Sequence, residues 1–153
     1  HKKVSHTLHK DNVEAKDGMD IGLITLDTAS NTLEFAGAVR PLYILSNSGL
    51  KEIKGSRFSV GGAISSTTYS FESQSISISP NDAFYLFTDG IVDQFGGEKG
   101  KKFMSQRFKE LLMEVKHLSM NDQKAAIEQR LNDWKGEYEQ VDDILIIGVK
   151  VLG

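Results

Sequence analysis

Two acidic pairs are where this sequence could do chemistry. Asp89-Gly90 follows the apolar run Ala83-Phe-Tyr-Leu-Phe87 through Thr88, and Asp142-Asp143 opens directly into the apolar run "ILIIGVKV". A carboxylate driven to the end of a buried strand loses solvation, so it must be paired, hydrogen-bonded or bound to a metal. Carboxylates at converging strand ends suit hard cations such as Mg²⁺ and Mn²⁺, which prefer oxygen donors and keep several waters. A pair of such ions can hold a phosphoryl oxygen and turn water into a nucleophile at neutral pH. The glycine after Asp89 is expected to give the backbone freedom to turn the carboxylate inward. Two features weigh against this reading. Asp-Gly is a common turn dipeptide, and acidic residues before a strand often only solvate it. Two carboxylates are also too few for a two-metal centre, so further ligands must come from elsewhere.

The elements around these pairs decide whether they can meet. "MDIGLITLD" and "TLEFAGAV" are strands separated by turn residues at hairpin spacing. "PLYILS" and "LKEIKG" flank Asn47-Ser48-Gly49, a second hairpin. From Gly55 to Ser73 the Gly, Ser and Thr content predicts a long loop or irregular edge, after which "SQSISIS" alternates as a half-exposed strand. Pro80-Asn81-Asp82 then turns the chain into "AFYLFTD", which should be buried on both faces. Two helices follow. Met104, Phe108, Leu111, Leu112, Val115 and Leu118 recur at helical spacing. Ser119 or Asn121 can cap the next helix, Met120, Ile127, Leu131 and Trp134 make its apolar face, and Gly136 is placed to end it. "DDILIIGVKV" is a last strand. This order of many antiparallel strands, a helical pair and a returning strand predicts an α+β layered domain. If the last strand inserts antiparallel beside "FYLFTD", Asp89 and Asp142 or Asp143 come together.

Composition narrows the function. The chain has 153 residues with 39% hydrophobic and 25% charged content, ordinary for one globular domain with a sizeable core. A net charge of -3 gives no electrostatic reason to expect nucleic acid. The absence of cysteine removes disulfides, thiolate zinc sites and cysteine nucleophiles, and fits a reducing, cytoplasmic setting. No apolar run approaches the roughly 20 residues that span a bilayer, so this segment is expected to make no membrane contact. The polar start, "HKKVSHTLHKDNVEAKDG", is not a signal peptide. Residues 1–16 read as a linker or helix end, and residues 17–153 as the folded part. His1, His6, His9 and His117 read as solvated surface. The basic run Lys99 to Lys102 reads as a solvated loop before a helix, although it could steer an acidic partner.

Five stretches together resemble a specific family. "KDGMDIGLITLD", "LEFAGAVRPLYIL", "YLFTDGIVDQFGG", "KGKKFMSQRFKELL" and "WKGEYEQVDDILIIGVKV" occur in the order found in SpoIIE-like serine phosphatases, bacterial members of the metal-dependent (PPM, type 2C-like) protein phosphatases. The resemblance implies a β-sandwich flanked by helices with a dinuclear Mn²⁺ or Mg²⁺ site. It implies hydrolysis of phosphoserine or phosphothreonine on a protein, often an anti-sigma-factor antagonist. Asp89 and Asp142 fall on metal-ligand positions, and Gly90 falls on the backbone beside the metal. Asp143 falls on a neighbouring position that supports the loop. Asp20 falls where many relatives carry a hydroxyl facing the site. There it would be a hydrogen-bond acceptor behind the ligands or an auxiliary ligand, or equally an exposed strand residue. Arg40 could hold a substrate phosphate bidentately, with a surface ion pair as the simpler reading.

The sequence also departs from the family pattern. It has no Gly-His dipeptide, whereas the family draws further ligands from an upstream aspartate and an Asp-x-x-Gly-His-Gly-like stretch. "HKKVSH" resembles the region just after that stretch. The expectation is therefore the C-terminal part of a phosphatase domain, incomplete at its N-terminus, following a sensory domain in the cytoplasmic output of a larger, membrane-anchored protein. Such a part alone should be inactive and should associate with itself or with the missing segment, since an opened sandwich exposes apolar surface. Ala38 sits where relatives with a third metal carry an aspartate. A non-catalytic regulatory module of the same fold is the second reading, and an unrelated α+β interaction domain whose acidic pairs are turns is the third.

Overall fold

The computed structural model describes residues 18–61 and 70–152. They fall in two compact units, one made of residues 18–42, 52–61 and 70–79 and the other of residues 43–51 and 80–152. In chain order the elements are β1 (Ile21–Asp27), β2 (Thr32–Ala38), β3 (Leu42–Ser46), β4 (Gly49–Ile53), β5 (Gln74–Ser77) and β6 (Ala83–Phe87). Then come α1 (Gly90–Asp93), β7 (Phe95–Gly96), β8 (Lys101–Lys102), α2 (Met104–Val115), α3 (Met120–Lys135) and β9 (Ile146–Lys150). Residues 1–16, the expected linker or helix end, lie outside the described residues.

The first unit holds a three-stranded antiparallel sheet in the order β1-β2-β5. Alternation along β2 sends Leu33 and Phe35 inward and Glu34 out to solvent. The β1–β2 turn is made by Asp27, whose carboxylate accepts from the Ser30 hydroxyl at 2.7 Å and the Ala29 N–H at 2.9 Å. These bonds, the Ser30 hydroxyl first, hold the Asp27 carboxyl below its ordinary range. Asn31 completes the turn at φ 51°, a conformation Asn tolerates better than most residues. Gly37 and Gly55 cross so closely that a Cβ on Gly37 would lie 2.9 Å from the Gly55 Cα.

The second sheet runs β4-β3-β6-β9. β6 is internal and almost wholly buried, as its apolar run requires. It pairs antiparallel with β3 through Tyr43↔Tyr85 and with β9 from Ala83↔Lys150 to Phe87↔Ile146. The core of the second unit is aromatic. Tyr43 lies 4.7 Å from Phe87, and Phe87 meets Phe108 edge-on at 4.9 Å between ring centroids. Phe108, Leu111, Leu112 and Val115 of α2 close over this cluster with Ile127 of α3, each such side chain contributing about 2 kcal/mol by burial. The Ser119 hydroxyl caps α3 by accepting from the Asp122 N–H at 3.2 Å, and Gly136 ends it at φ 52°.

Two local expectations are corrected and two details are added. Met104 does not join the apolar stripe: it starts α2 at φ 70° and is exposed. Trp134 packs on Phe103 as a core residue should, but the buried stripe of α3 also contains a polar residue, Gln123. Its Oε1 accepts from the Tyr85 hydroxyl at 2.6 Å, so two polar groups are buried as a satisfied pair. Ile91-Val92 belongs to a single helical turn, α1. Finally, Lys101-Lys102 is not a loop but pairs with Phe95-Gly96 in a two-stranded ladder.

Burial pushes the Tyr85 phenol up to about 12. Because the folded state resists ionisation more than the unfolded chain, stability is complete below the ordinary tyrosine range near pH 10 and falls as pH rises toward 12. Urea unfolding followed across this window should show that decline, and Tyr85→Phe should reduce it.

Candidate metal centre

The antiparallel register of β6 and β9 places the C-terminal end of one beside the N-terminal end of the other. Thr88 extends the pairing past the last ladder residues. Its N–H donates to the Leu145 carbonyl at 3.0 Å, while its hydroxyl accepts from the Leu145 N–H at 2.9 Å and donates to the Asp143 carbonyl at 2.7 Å. The two acidic pairs therefore leave adjoining strands side by side. Asp89 is half-buried, and Asp142 and Asp143 are exposed. The Asp142 carboxylate accepts from the Asp143 N–H at 2.7 Å, and the Gln140 side chain donates to the Asp142 carbonyl at 2.9 Å. The backbone of Asp143, rather than its carboxylate, thus ties the loop to Thr88 and to Asp142.

Gly90 fits here for a different reason from the one its dipeptide suggests. Its φ is not in the left-handed region. Instead, a Cβ would stand 2.4 Å from the Asp143 carbonyl oxygen and 2.9 Å from its carbon. Glycine lets the Asp142-Asp143 backbone press directly onto the start of α1, where the Asp89 carbonyl accepts from the Asp93 N–H at 2.9 Å. Close approach, not conformational freedom, requires this glycine.

The donor set fits part of a hard-cation site. Asp89 and Asp142 offer carboxylate oxygens of the type Mg²⁺ and Mn²⁺ prefer, but among the described residues no three His, Cys, Asp or Glu side chains come together. Asp20 and Arg40 belong to the first unit. They form an ion pair at 2.6 Å with side chains 30% and 18% exposed, and the Ser59 hydroxyl donates to the second Asp20 oxygen. Arg40 follows Val39 at φ 65°, a strained position for a β-branched residue, where the Arg40 N–H folds back onto the Ala38 carbonyl at 2.7 Å. His117 is exposed, while His1, His6 and His9 lie outside the described residues. Sequence reasoning passed over Thr88, Gln140 and Ser59. Only Thr88 left a signal, a hydroxyl residue between a buried strand and Asp-Gly.

The family model for stage II sporulation protein E (SpoIIE) matches residues 2–152. The chain belongs to the SpoIIE family. Comparison with curated proteins gives no match. Among solved structures, it is similar to the SiaA-PP2C domain of Pseudomonas aeruginosa at 31% identity and a TM-score of 0.82, over 95% of this chain and 56% of that one. It also resembles the phosphatase domain of the cell fate determinant SpoIIE from Bacillus subtilis, presoaked with Mn, with 14% identity, a TM-score of 0.61 and coverage of 94% and 59%. A third similar structure is the catalytic domain of the serine/threonine protein phosphatase PstP with two manganese ions, at 12% identity and a TM-score of 0.65, over 99% of this chain and 66% of that one. The fold is thus the α+β fold of PP2C phosphatase domains. The chain spans little more than half the length of the first two, 56% and 59%.

In this SpoIIE-family chain Gly90→Ala should force the Asp143 carbonyl away and lower stability by about 2 kcal/mol, the usual cost of overpacking. Urea unfolding measures this, and an unchanged midpoint would remove the close-approach argument.

Proposed function

We propose that this chain forms part of a bacterial signalling phosphatase that hydrolyses phosphoserine or phosphothreonine on a protein through a dinuclear Mn²⁺ or Mg²⁺ centre. The observation that carries this reading is the pairing of β6 with β9, which sets Asp89 and Asp142 on adjoining strand ends within a SpoIIE-family chain. Asp89 and Asp142 are the proposed metal ligands, with Gly90 as the backbone neighbour that leaves room for them. When bound, two such ions supply a nucleophile from water at neutral pH and neutralise charge developing on the phosphoryl group. The Asp143 N–H holds the Asp142 carboxylate, and Thr88 holds together the strand ends that carry Asp89 and Asp142, which lowers the cost of assembling the site. In the first unit Asp20, which also accepts from the Ser59 hydroxyl, pairs with the Arg40 side chain, and a guanidinium so held is a group that can bind a phosphate. Among the described residues no group of three acidic or imidazole side chains could hold a metal, and on this reading residues 1–153 alone should turn over little. The natural substrate fits a small phosphoprotein such as an anti-sigma-factor antagonist, and the setting a cytoplasmic output domain.

Mn²⁺-dependent hydrolysis of a phosphoserine peptide by the full-length protein tests this. Asp89→Asn should lower kcat/KM by about 100-fold or more, since even groups behind a metal ligand cost 10- to 100-fold. A folded full-length protein that binds Mn²⁺ but never hydrolyses the peptide would move the reading to a partner-binding module. A separate expectation concerns association. Leu145, Ile147, Val149 and Leu152 are exposed on and beyond β9, and apolar surface of this kind seeks a cover. Sedimentation of residues 1–153 should show self-association, and a clean monomer would count against it.

A further inference from the structure

We propose that the β7–β8 hairpin is a docking surface for an acidic segment of the phosphoprotein substrate, an inference that rests on the phosphatase reading above. The hairpin and its flanks concentrate positive charge in a chain whose net charge is -3. From Asp93 to Lys109, five basic residues stand against two acidic ones. Three of the five are engaged. Lys102 pairs with Asp93 at 3.1 Å, Arg107 stacks 4.5 Å from the Trp134 ring centroid, and Lys109 lies 5.3 Å from that of Tyr43. Lys99 and Lys101 are exposed and have no carboxylate partner among the described residues. Phe95, partly exposed beside Lys102, adds an apolar contact to the same surface.

The hairpin is fixed rather than loose. A Cβ on Gly96 would lie 1.9 Å from the Trp134 carbonyl oxygen, and one on Gly97 would lie 3.0 Å from the indole. The Gly97 N–H donates to that same carbonyl at 2.8 Å, and the Phe103 N–H donates to the Gln94 carbonyl at 2.8 Å. Gly100, at φ 54°, folds against the Tyr138 hydroxyl. A surface ordered in advance loses little entropy when a partner binds.

Its position ties it to the carboxylates. At the base of the hairpin the Gln94 side chain donates to the Glu139 carbonyl at 2.9 Å. Gln94 follows Asp89 by one short helical turn, and Glu139 precedes Asp142 closely in sequence. At about 3.5 Å per extended residue, the Glu139 backbone lies within roughly 10 Å of Asp142. A peptide whose phosphorylated residue reaches Asp89 and Asp142 can therefore lay its flanking residues over Lys99 and Lys101. Exposed lysines of this kind steer an acidic partner and select against basic ones.

The test is fluorescence anisotropy with the full-length protein and Mn²⁺, using two phosphoserine peptides, one flanked by glutamates and one by alanines. The wild type should prefer the glutamate-flanked peptide, and Lys99→Gln with Lys101→Gln should cut that preference roughly fivefold while flattening its salt dependence. Lys102 is left in place because its bond to Asp93 holds the hairpin, and an unchanged melting curve shows the variant folded. No preference in the wild type, or the same preference in the variant, overturns the proposal. So does equally tight binding of a single-stranded oligonucleotide at the same residues. Binding needs no turnover, so preference without hydrolysis sinks only the phosphatase reading, and hydrolysis of both peptides without preference sinks only the docking surface.

Discussion

The antiparallel contact between β6 and β9 is the constraint on which the second unit depends. Its register, from Ala83↔Lys150 to Phe87↔Ile146, joins residues separated by both long helices. Closing so long a loop carries an entropic cost that the strand pairing must offset. Thr88 matters because it acts where the regular ladder stops. With one hydroxyl it satisfies a donor and an acceptor on the opposite strand's leading segment, keeping the strands together up to the residues that carry charge. Shifting this register by one residue would turn every side chain of β9 to the other face and separate Asp142 from Asp89.

The helices make that contact worth keeping. α2 and α3 cover one face of the sheet with an aromatic and aliphatic cluster that includes Tyr43, Tyr85, Phe87 and Phe108. The Tyr85–Gln123 bond shows how tightly the cover fits, since an uncompensated phenol or amide there would cost more than the bond returns. The same helix pair carries the glycine hairpin on Trp134. One packed layer thus supports both the carboxylate end of the sheet and the basic surface beside it.

Glycine plays two physically distinct parts around this site. Gly90 and Gly96 are needed because backbone carbonyls stand where a Cβ would be, whereas Gly97, Gly100 and Gly136 adopt positive φ. In the first unit the strain is borne by a valine instead. Val39 holds a left-handed conformation next to an arginine clamped by Asp20. Such positions persist only where the surroundings over-determine them.

Hydrophobic period together with turn and cap residues determined most of the fold: the hairpin strands, the buried run of β6, the Phe108–Val115 stripe, a cap at Ser119 or Asn121 and the Gly136 stop. These are local properties, set by side chains spaced two or about 3.6 residues apart. The α+β order and the family resemblance were also legible, because five motifs keep their sequence. What the sequence left open is what depends on contacts between distant segments. Asp89 and Asp142 could be named as candidates, but their juxtaposition waited on which strand β9 joined. The reason for Gly90 was misread because the atom that excludes a side chain belongs to Asp143. Gln123 was hidden by a polar name on an apolar face, and the short β7–β8 ladder by glycines that read as a loop until Trp134 is placed beneath them. Periodicity reports which face of an element is buried; only the tertiary structure decides what meets it there.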